Sequence, residues 1–340
     1  IKDWIFVSPK YHLGESLGEH PIITSLKQNK TFYDDACAEG QKIILPTTKP
    51  TEIKKLDPIG EINIGPVVLS KILKPSDSYS AIGTLVNAPL DYVMENMGGL
   101  AAPEDDKEPN ENLMKGPIAH KVVELLVNKN KTEAYSLDDI QSRFNTQYDK
   151  LFEQAMEAEK EYAAFLKRPE NVNMLAVFKE DARDSIKHLI DLIKKKNLTP
   201  LRSEYEVTTK FNPFANPHGY VDLLLKDRNG NLVIFDLKWS DNKNYPDKIK
   251  KGEAYQLYMY KHAIEAQMVP KKVAWYAYYL FPLQELYIEP DGVTPKWNEW
   301  LQQRSDRLDQ LAKGIIEPAV KDSDREKYPK HKILKNLKMK

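Results

Sequence analysis

A single cysteine, Cys37, is all the thiol chemistry in this 340-residue chain. One thiol excludes a disulfide framework within the chain and is compatible with a reducing compartment. Long apolar runs are missing as well: no stretch approaches the roughly 20 residues needed to cross a bilayer, and no signal-peptide pattern is present. Net charge is absent, because 50 Lys and Arg balance 50 Asp and Glu. The whole-molecule field therefore does not advertise a polyanionic partner, although a local groove in a neutral protein can still be basic. There is no G-x-x-x-x-G-K-[ST] phosphate loop, hence no motor within these residues, and no internal repeat or low-complexity segment. What is present, 41% hydrophobic residues, is enough for one large core or for one core plus a small appendage. The chain starts at Ile1 rather than at a methionine, which reads as a fragment of a longer protein.

The organisation follows from breakers and periodicity. Trp4 to Val7 reads as a short strand, and Pro46, Pro50, Pro58, Pro66 and Pro75 mark an extended connector around a second one at Ile62 to Val68. Ser80 to Glu95 predicts one helix closed by Gly98-Gly99, and Ala101 to Asn112 an acidic loop. The next helix is expected to carry Pro117 in its first turn, where the missing N–H costs nothing. Residues 136 to 167 and 171 to 196 read as helices rich in i, i+4 charge pairs. Glu253 to Gln267 predicts a helix, Val273 to Phe281 a strand that Glu285 to Ile288 can pair with, and Trp297 to Ala312 a last amphipathic helix.

The chemistry concentrates between residues 219 and 238. Tyr220 to Leu225 and Leu232 to Leu237 are apolar on both faces, the pattern of buried central strands. Asn229-Gly230 between them favours the positive φ angles of a tight hairpin. Yet these strands carry Asp222, Asp236 and Lys238. An isolated buried carboxylate costs far more than packing recovers, so the three must be paired or coordinate something. With a side-chain period of two, Asp236 and Lys238 share a face, and Asp222 can join them from the neighbouring strand. The cluster reads as a metal site with a cation beside it; the bland alternative is a structural ion pair at a strand end.

Asp222, Asp236 and Lys238 resemble the D...(D/E)xK signature of the PD-(D/E)XK nuclease superfamily, and the surroundings resemble its RecB-like, AddB-type branch. Gly116-Pro117-Ile118-Ala119-His120, continuing to Glu124, is similar to that branch's G-x-x-x-H helix. Glu204 stands where the family has a glutamate ahead of the first aspartate. Gln256-Leu257-Tyr258-Met259-Tyr260 is similar to its Q-x-x-x-Y helix, and the segment from Ser78 through Tyr92 to its entry segment. The resemblance implies an α/β fold with a central mixed β-sheet flanked by helices, carrying a helical insertion. It divides the chain into an N-terminal segment and connector at 1–70, a nuclease domain at 71–316 and a basic tail at 317–340. Relatives of this type can hold an iron–sulfur cluster, but Ala88 stands at the first cysteine position and no cysteine follows Gly314, so no cluster is expected here.

The implied activity is hydrolysis of DNA phosphodiesters with Mg²⁺ or Mn²⁺, by an exonuclease of repair and recombination in the cytoplasm, joined to a helicase-like domain or subunit. Hard cations want oxygen ligands, which makes Asp222, Asp236 and the Leu237 carbonyl the first candidates. By resemblance His120 completes the site, and an imidazole ligand favours manganese. Lys238 either orients or deprotonates the attacking water, or stabilises charge at the phosphate. Glu204 lies near the metal or braces it, while Gln256 and Tyr260 support the site and touch the nucleic-acid backbone or simply pack. Two further readings stay open: a catalytically silent DNA-binding or scaffolding module, and a stand-alone endonuclease. The basic tail after Tyr328 and the aromatic run Trp275 to Tyr279 offer phosphate and base contacts, against a frayed terminus and core packing.

Overall fold

The computed structural model describes residues 11–12, 15–16, 62–63, 65–66, 78–97, 111–207, 218–241 and 244–317. Cys37, the strand expected at Trp4 to Val7 and the basic tail lie outside them. The chain divides into two compact units, Ile1–Asp57 and Pro58–Lys340. In the first, β1 (Tyr11–His12) pairs antiparallel with β2 (Glu15–Ser16).

The second unit is built on a five-stranded mixed sheet in the order β4 (Thr199–Val207), β5 (Gly219–Lys226), β6 (Leu232–Lys238), β7 (Val273–Leu280) and β8 (Glu285–Ile288). Only β6 and β7 are parallel. That pair requires a crossover, supplied by helices at Asn244–Lys250 and Tyr255–Gln267. The sheet is covered on both faces, which explains the unbroken apolar runs in its central strands. Leu223, Leu225, Val233, Phe235 and Leu237 pack under one helical layer. Leu224, Leu232, Ile234 and Leu280 pack under the other.

The first layer consists of α3 (Glu111–Val127), α4 (Leu137–Ala158), α5 (Lys160–Leu166) and α6 (Val172–Lys195), following α1 (Tyr79–Asn87) and α2 (Pro89–Met97). Ser136 starts α4 by accepting the Asp139 N–H at 3.2 Å and donating to Asp139 Oδ2 at 2.7 Å. In the second layer, the crossover helices α7 (Asn244–Lys250) and α8 (Tyr255–Gln267) precede α9 (Trp297–Ala312). A separate small core joins Leu85, Leu90, Val93, Leu311 and Ile316. There β3 (Ile62–Asn63) pairs with β9 (Ile315–Ile316). A side chain at Gly314 (φ 78°) would run into the Gly65 carbonyl, so only glycine allows this approach.

Three local expectations are corrected. The helix expected from Ser80 to Glu95 is broken at Ala88, whose φ −145° and ψ 68° reflect the exclusion of a residue before proline from helical geometry. Pro117 lies inside α3 rather than in its first turn. The carbonyl that loses its donor belongs to Leu113, which is exposed, so water can satisfy it. In the 226–232 turn only Gly230 has positive φ (83°). Asp227 Oδ1 accepts the N–H groups of Asn229 and Asn231 at 2.8 and 2.9 Å, so the turn is built around this aspartate and not on positive φ at both Asn229 and Gly230.

Strand β4, which the sequence pattern did not mark, is locked to α3 by one side chain. Asn128 Nδ2 donates to the Ser203 carbonyl at 2.9 Å, and its Oδ1 accepts the Ser203 N–H at 3.0 Å. Ser203 is buried and donates its own hydroxyl to the Asp222 carbonyl at 2.7 Å. Replacing Asn128 with alanine orphans two backbone groups at a buried residue. We expect Asn128→Ala to destabilise the protein by about 2–4 kcal/mol, read from urea unfolding. A loss below 0.5 kcal/mol (about the level of a neutral surface change) would mean that the clamp does not hold β4.

Candidate metal centre

Strands β5 and β6 part where the charged residues begin. Their antiparallel ladder ends at Leu223↔Phe235, and one more step would set Asp222 opposite Asp236. Instead Asp222 Oδ2 accepts the Leu237 N–H at 2.6 Å, so a carboxylate takes the place of a carbonyl between the strands. N–H and C=O of one strand residue face the same edge, so the Leu237 carbonyl also looks toward this opening. On the other side of β5, Ser203↔Leu223 and Tyr205↔Val221 place Glu204 opposite Asp222. Glu204 has φ 51°, in the left-handed region, where a non-glycine residue in mid-strand is strained. The clamp from Asn128 to Ser203 holds the backbone beside it.

His120 reaches the same point from α3. Its Nδ1 lies 3.7 Å from Asp222 Oδ1 and 3.8 Å from Glu204 Oε1. His120, Glu204 and Asp222 each offer a ligand atom, all within 4.8 Å of one another. Burial by itself would lower the His120 pKa, but the Asp222 and Glu204 carboxylates outweigh it and hold the imidazole above its ordinary value. Glu124 is turned away and pairs with Lys121 at 2.7 Å. Gly116 is not forced by sterics, since a side chain there would meet Trp239 only at ordinary contact distance, 3.7 Å.

Asp236 and Lys238 sit beside this group. Asp236 is fully buried, and Lys238 Nζ lies 2.6 Å from its Oδ2. The two form an ion pair, and neither Asp236 oxygen accepts a hydrogen bond of regular geometry among the described residues. Burial, reinforced by Asp222 against the pull of Lys238, pushes the Asp236 pKa up to about 6. Lys238 moves the other way from a lone buried lysine: burial would lower its pKa, but Asp236 and Asp222 together raise it. The ammonium is therefore held charged, while its carboxylate partner still lacks hydrogen bonds.

Helix α8 closes the back of the cluster. Gln256 Nε2 donates to the Tyr260 hydroxyl at 3.3 Å, and Tyr260 is buried against Gly219, where a side chain would approach its ring to 3.1 Å. Burial next to Asp236 and Asp222 raises the Tyr260 pKa. Tyr79 and Tyr245 also flank the charged pair, and burial next to Asp236 pushes Tyr79 up to about 12. Sequence reasoning missed Asn128, Ser203, Tyr79 and Tyr245. Asn128 acts across a separation of 75 residues and carries no local signal. The aromatic run on β7 packs: Tyr279 donates to the Ser185 carbonyl and Tyr276 to Glu289. In front, His120, Glu204, Leu237 and Lys238 open onto a cleft of about 860 Å³.

A family model for the PD-(D/E)XK nuclease superfamily matches residues 76–326, which include every residue of this cluster. The chain belongs to the PD-(D/E)XK nuclease superfamily. No curated protein matches it. PD-(D/E)XK nucleases use divalent metals, and the His120, Glu204 and Asp222 group can bind one. The residues present fit such an ion. His120, Glu204 and Asp222 converge on one point with a donor set that is mainly oxygen, and beside them the buried Asp236 oxygens accept no hydrogen bond among the described residues.

The pKa directions define a test. In the metal-free protein, Asp236 has a folded pKa of about 6, above its unfolded value, and His120 is also raised. In both cases the folded state binds the extra proton, so stability falls as pH rises from about 4 through about 6 on account of Asp236, and further above about 6.5 on account of His120. The Asp236 part is on the order of 2–3 kcal/mol. A divalent ion reverses this, because it binds the deprotonated ligands. Melting temperatures with EDTA should fall across this window relative to Asp236→Asn, and stabilisation by Mn²⁺ should grow from pH 5 to pH 7. Equal Mn²⁺ stabilisation at both pH values, or the same EDTA profile in Asp236→Asn, would contradict the assignment.

Proposed function

We propose that this PD-(D/E)XK protein is a divalent-metal-dependent DNA nuclease of the RecB-like branch, acting as an exonuclease in repair and recombination. The observation that carries the nuclease reading is the meeting of Asp222, Glu204 and His120 beside the buried Asp236–Lys238 pair, open to solvent through one cleft. Exonuclease action, a helicase-like partner domain or subunit, a cytoplasmic setting and the domain limits at 71–316 rest on the motif resemblance alone.

In this reading His120, Glu204 and Asp222 hold the cation, joined by Asp236 and the Leu237 carbonyl at the parted strands. The bound ion supplies Lewis-acid polarisation of a phosphoryl oxygen and a more acidic water. With His120 in the donor set, Mn²⁺ is the better activator and Mg²⁺ the alternative. Without the ion, flanking carboxylates hold the proton on Lys238. Beside a bound divalent cation it stabilises charge at the scissile phosphate, or orients or deprotonates the attacking water. Tyr260 and Gln256 position the Gly219–Asp222 strand from behind.

The experiment is degradation of end-labelled single- and double-stranded DNA with Mg²⁺, Mn²⁺ or EDTA. Asp222→Asn, Asp236→Asn and Lys238→Ala should each lower the rate by about 10²-fold or more, while circular dichroism stays native. Products shortened progressively from one end establish an exonuclease, and cutting of circular DNA makes it an endonuclease. A folded wild type that binds DNA and cuts nothing in either metal leaves the silent-module reading in its place.

A further inference from the structure

The cleft above the charged cluster has walls of unexpected chemistry for a polyanionic substrate. Both lysines on it are engaged, Lys121 with Glu124 at 2.7 Å and Lys238 with Asp236 at 2.6 Å. No arginine lines it among the described residues, and Glu124, Glu159 and Glu204 do. A surface that grips duplex DNA does so mainly through rows of cations on two phosphate backbones. This cleft instead presents tyrosine rings from three elements: Tyr162 on α5, Tyr220 on β5 and Tyr245 on α7.

Tyr220 is the most telling of them. It is 42% exposed, although its strand is otherwise buried. It stands two residues before Asp222, roughly 7 Å away along the strand, and lines the same cleft as His120 and Glu204. His218 packs against its ring at nearly a right angle, 5.5 Å and 82°, and the ring still keeps its exposure to solvent. An exposed aromatic ring in the same cleft as His120 and Glu204, one of three tyrosines among its described lining residues, offers a surface for a base. Stacking of this kind is sequence-tolerant, because every base has a π-face. A base inside a duplex has both faces covered by its neighbours.

We propose that Tyr220, braced by His218, is a stacking platform for the base next to the bond to be cut. The inference rests on the nuclease reading of the same site and adds a base-contacting residue to it. Tyr220 then sets specificity through binding, while Asp222, Glu204 and Lys238 act on the phosphate.

The test uses the full chain and fluorescein-labelled oligodeoxynucleotides, with Ca²⁺ as a hard cation that occupies oxygen ligands, and reads binding by fluorescence anisotropy. Tyr220→Ala should weaken single-strand binding about 5-fold or more, Tyr220→Phe should keep it, and binding to blunt duplex should be weaker and unchanged by either. One abasic position, stepped along the strand, should cost wild type a similar factor at a single register and cost Tyr220→Ala nothing further. A flat abasic scan, fully additive losses, or equal loss on duplex and single strand would overturn the proposal. Cutting in Mn²⁺ is assayed separately. Cutting with a flat scan sinks the stacking platform alone, whereas a register-specific scan without cutting keeps the platform and sinks the nuclease reading.

Discussion

The site depends on one substitution in the sheet: the Asp222 carboxylate stands where a backbone carbonyl would continue the ladder between β5 and β6. It stops the two strands from closing on each other and leaves a gap in an otherwise dry sheet. Into that gap face the Leu237 amide, a second buried carboxylate and the Lys238 ammonium. Burying a carboxylate here is tolerable only because donors and cations surround it. Any change that let the ladder close would remove the opening and its reason for carrying charge.

The surrounding elements hold this gap from three sides. Asn128 at the end of α3 clamps Ser203, which fixes β4 and turns the strained Glu204 toward the gap. The same helix presents His120. From behind, α8 packs Tyr260 onto Gly219, a position where any larger residue would push the ring away. Charge is left unbalanced by the result. Asp222, Glu204 and Asp236 face one ammonium and one histidine; the carboxylates raise His120 and Lys238, while burial above all raises Asp236. A divalent ion among these carboxylates would offset their charge.

Much of this was legible in the sequence where burial and spacing speak locally. The central strands β5 and β6 announce themselves as apolar runs, and Trp297–Ala312 as an amphipathic helix. Strand β4 did not, because Thr199–Val207 is a half-exposed edge strand with charged and polar residues along it. Pro117 was read as a helix start, yet an exposed Leu113 carbonyl makes a proline tolerable one turn further in. The Asn-Gly pair pointed to the positive φ angles of a tight hairpin, and only Gly230 adopts one, because Asp227 draws the turn around its own carboxylate.

By itself the sequence determined that Asp222, Asp236 and Lys238 are set into buried neighbouring strands and share a face, since strand periodicity and desolvation cost are local facts. It also carries the match to the superfamily over residues 76–326. Only the tertiary structure decided which groups converge. It brought His120 and Glu204 onto Asp222, left Asp236 against Lys238, turned Glu124 away to Lys121, and opened Tyr220 to the cleft. The reason is physical: a register between strands and a clamp spanning 75 residues depend on packing between distant segments, and no local pattern encodes the distance between their side chains.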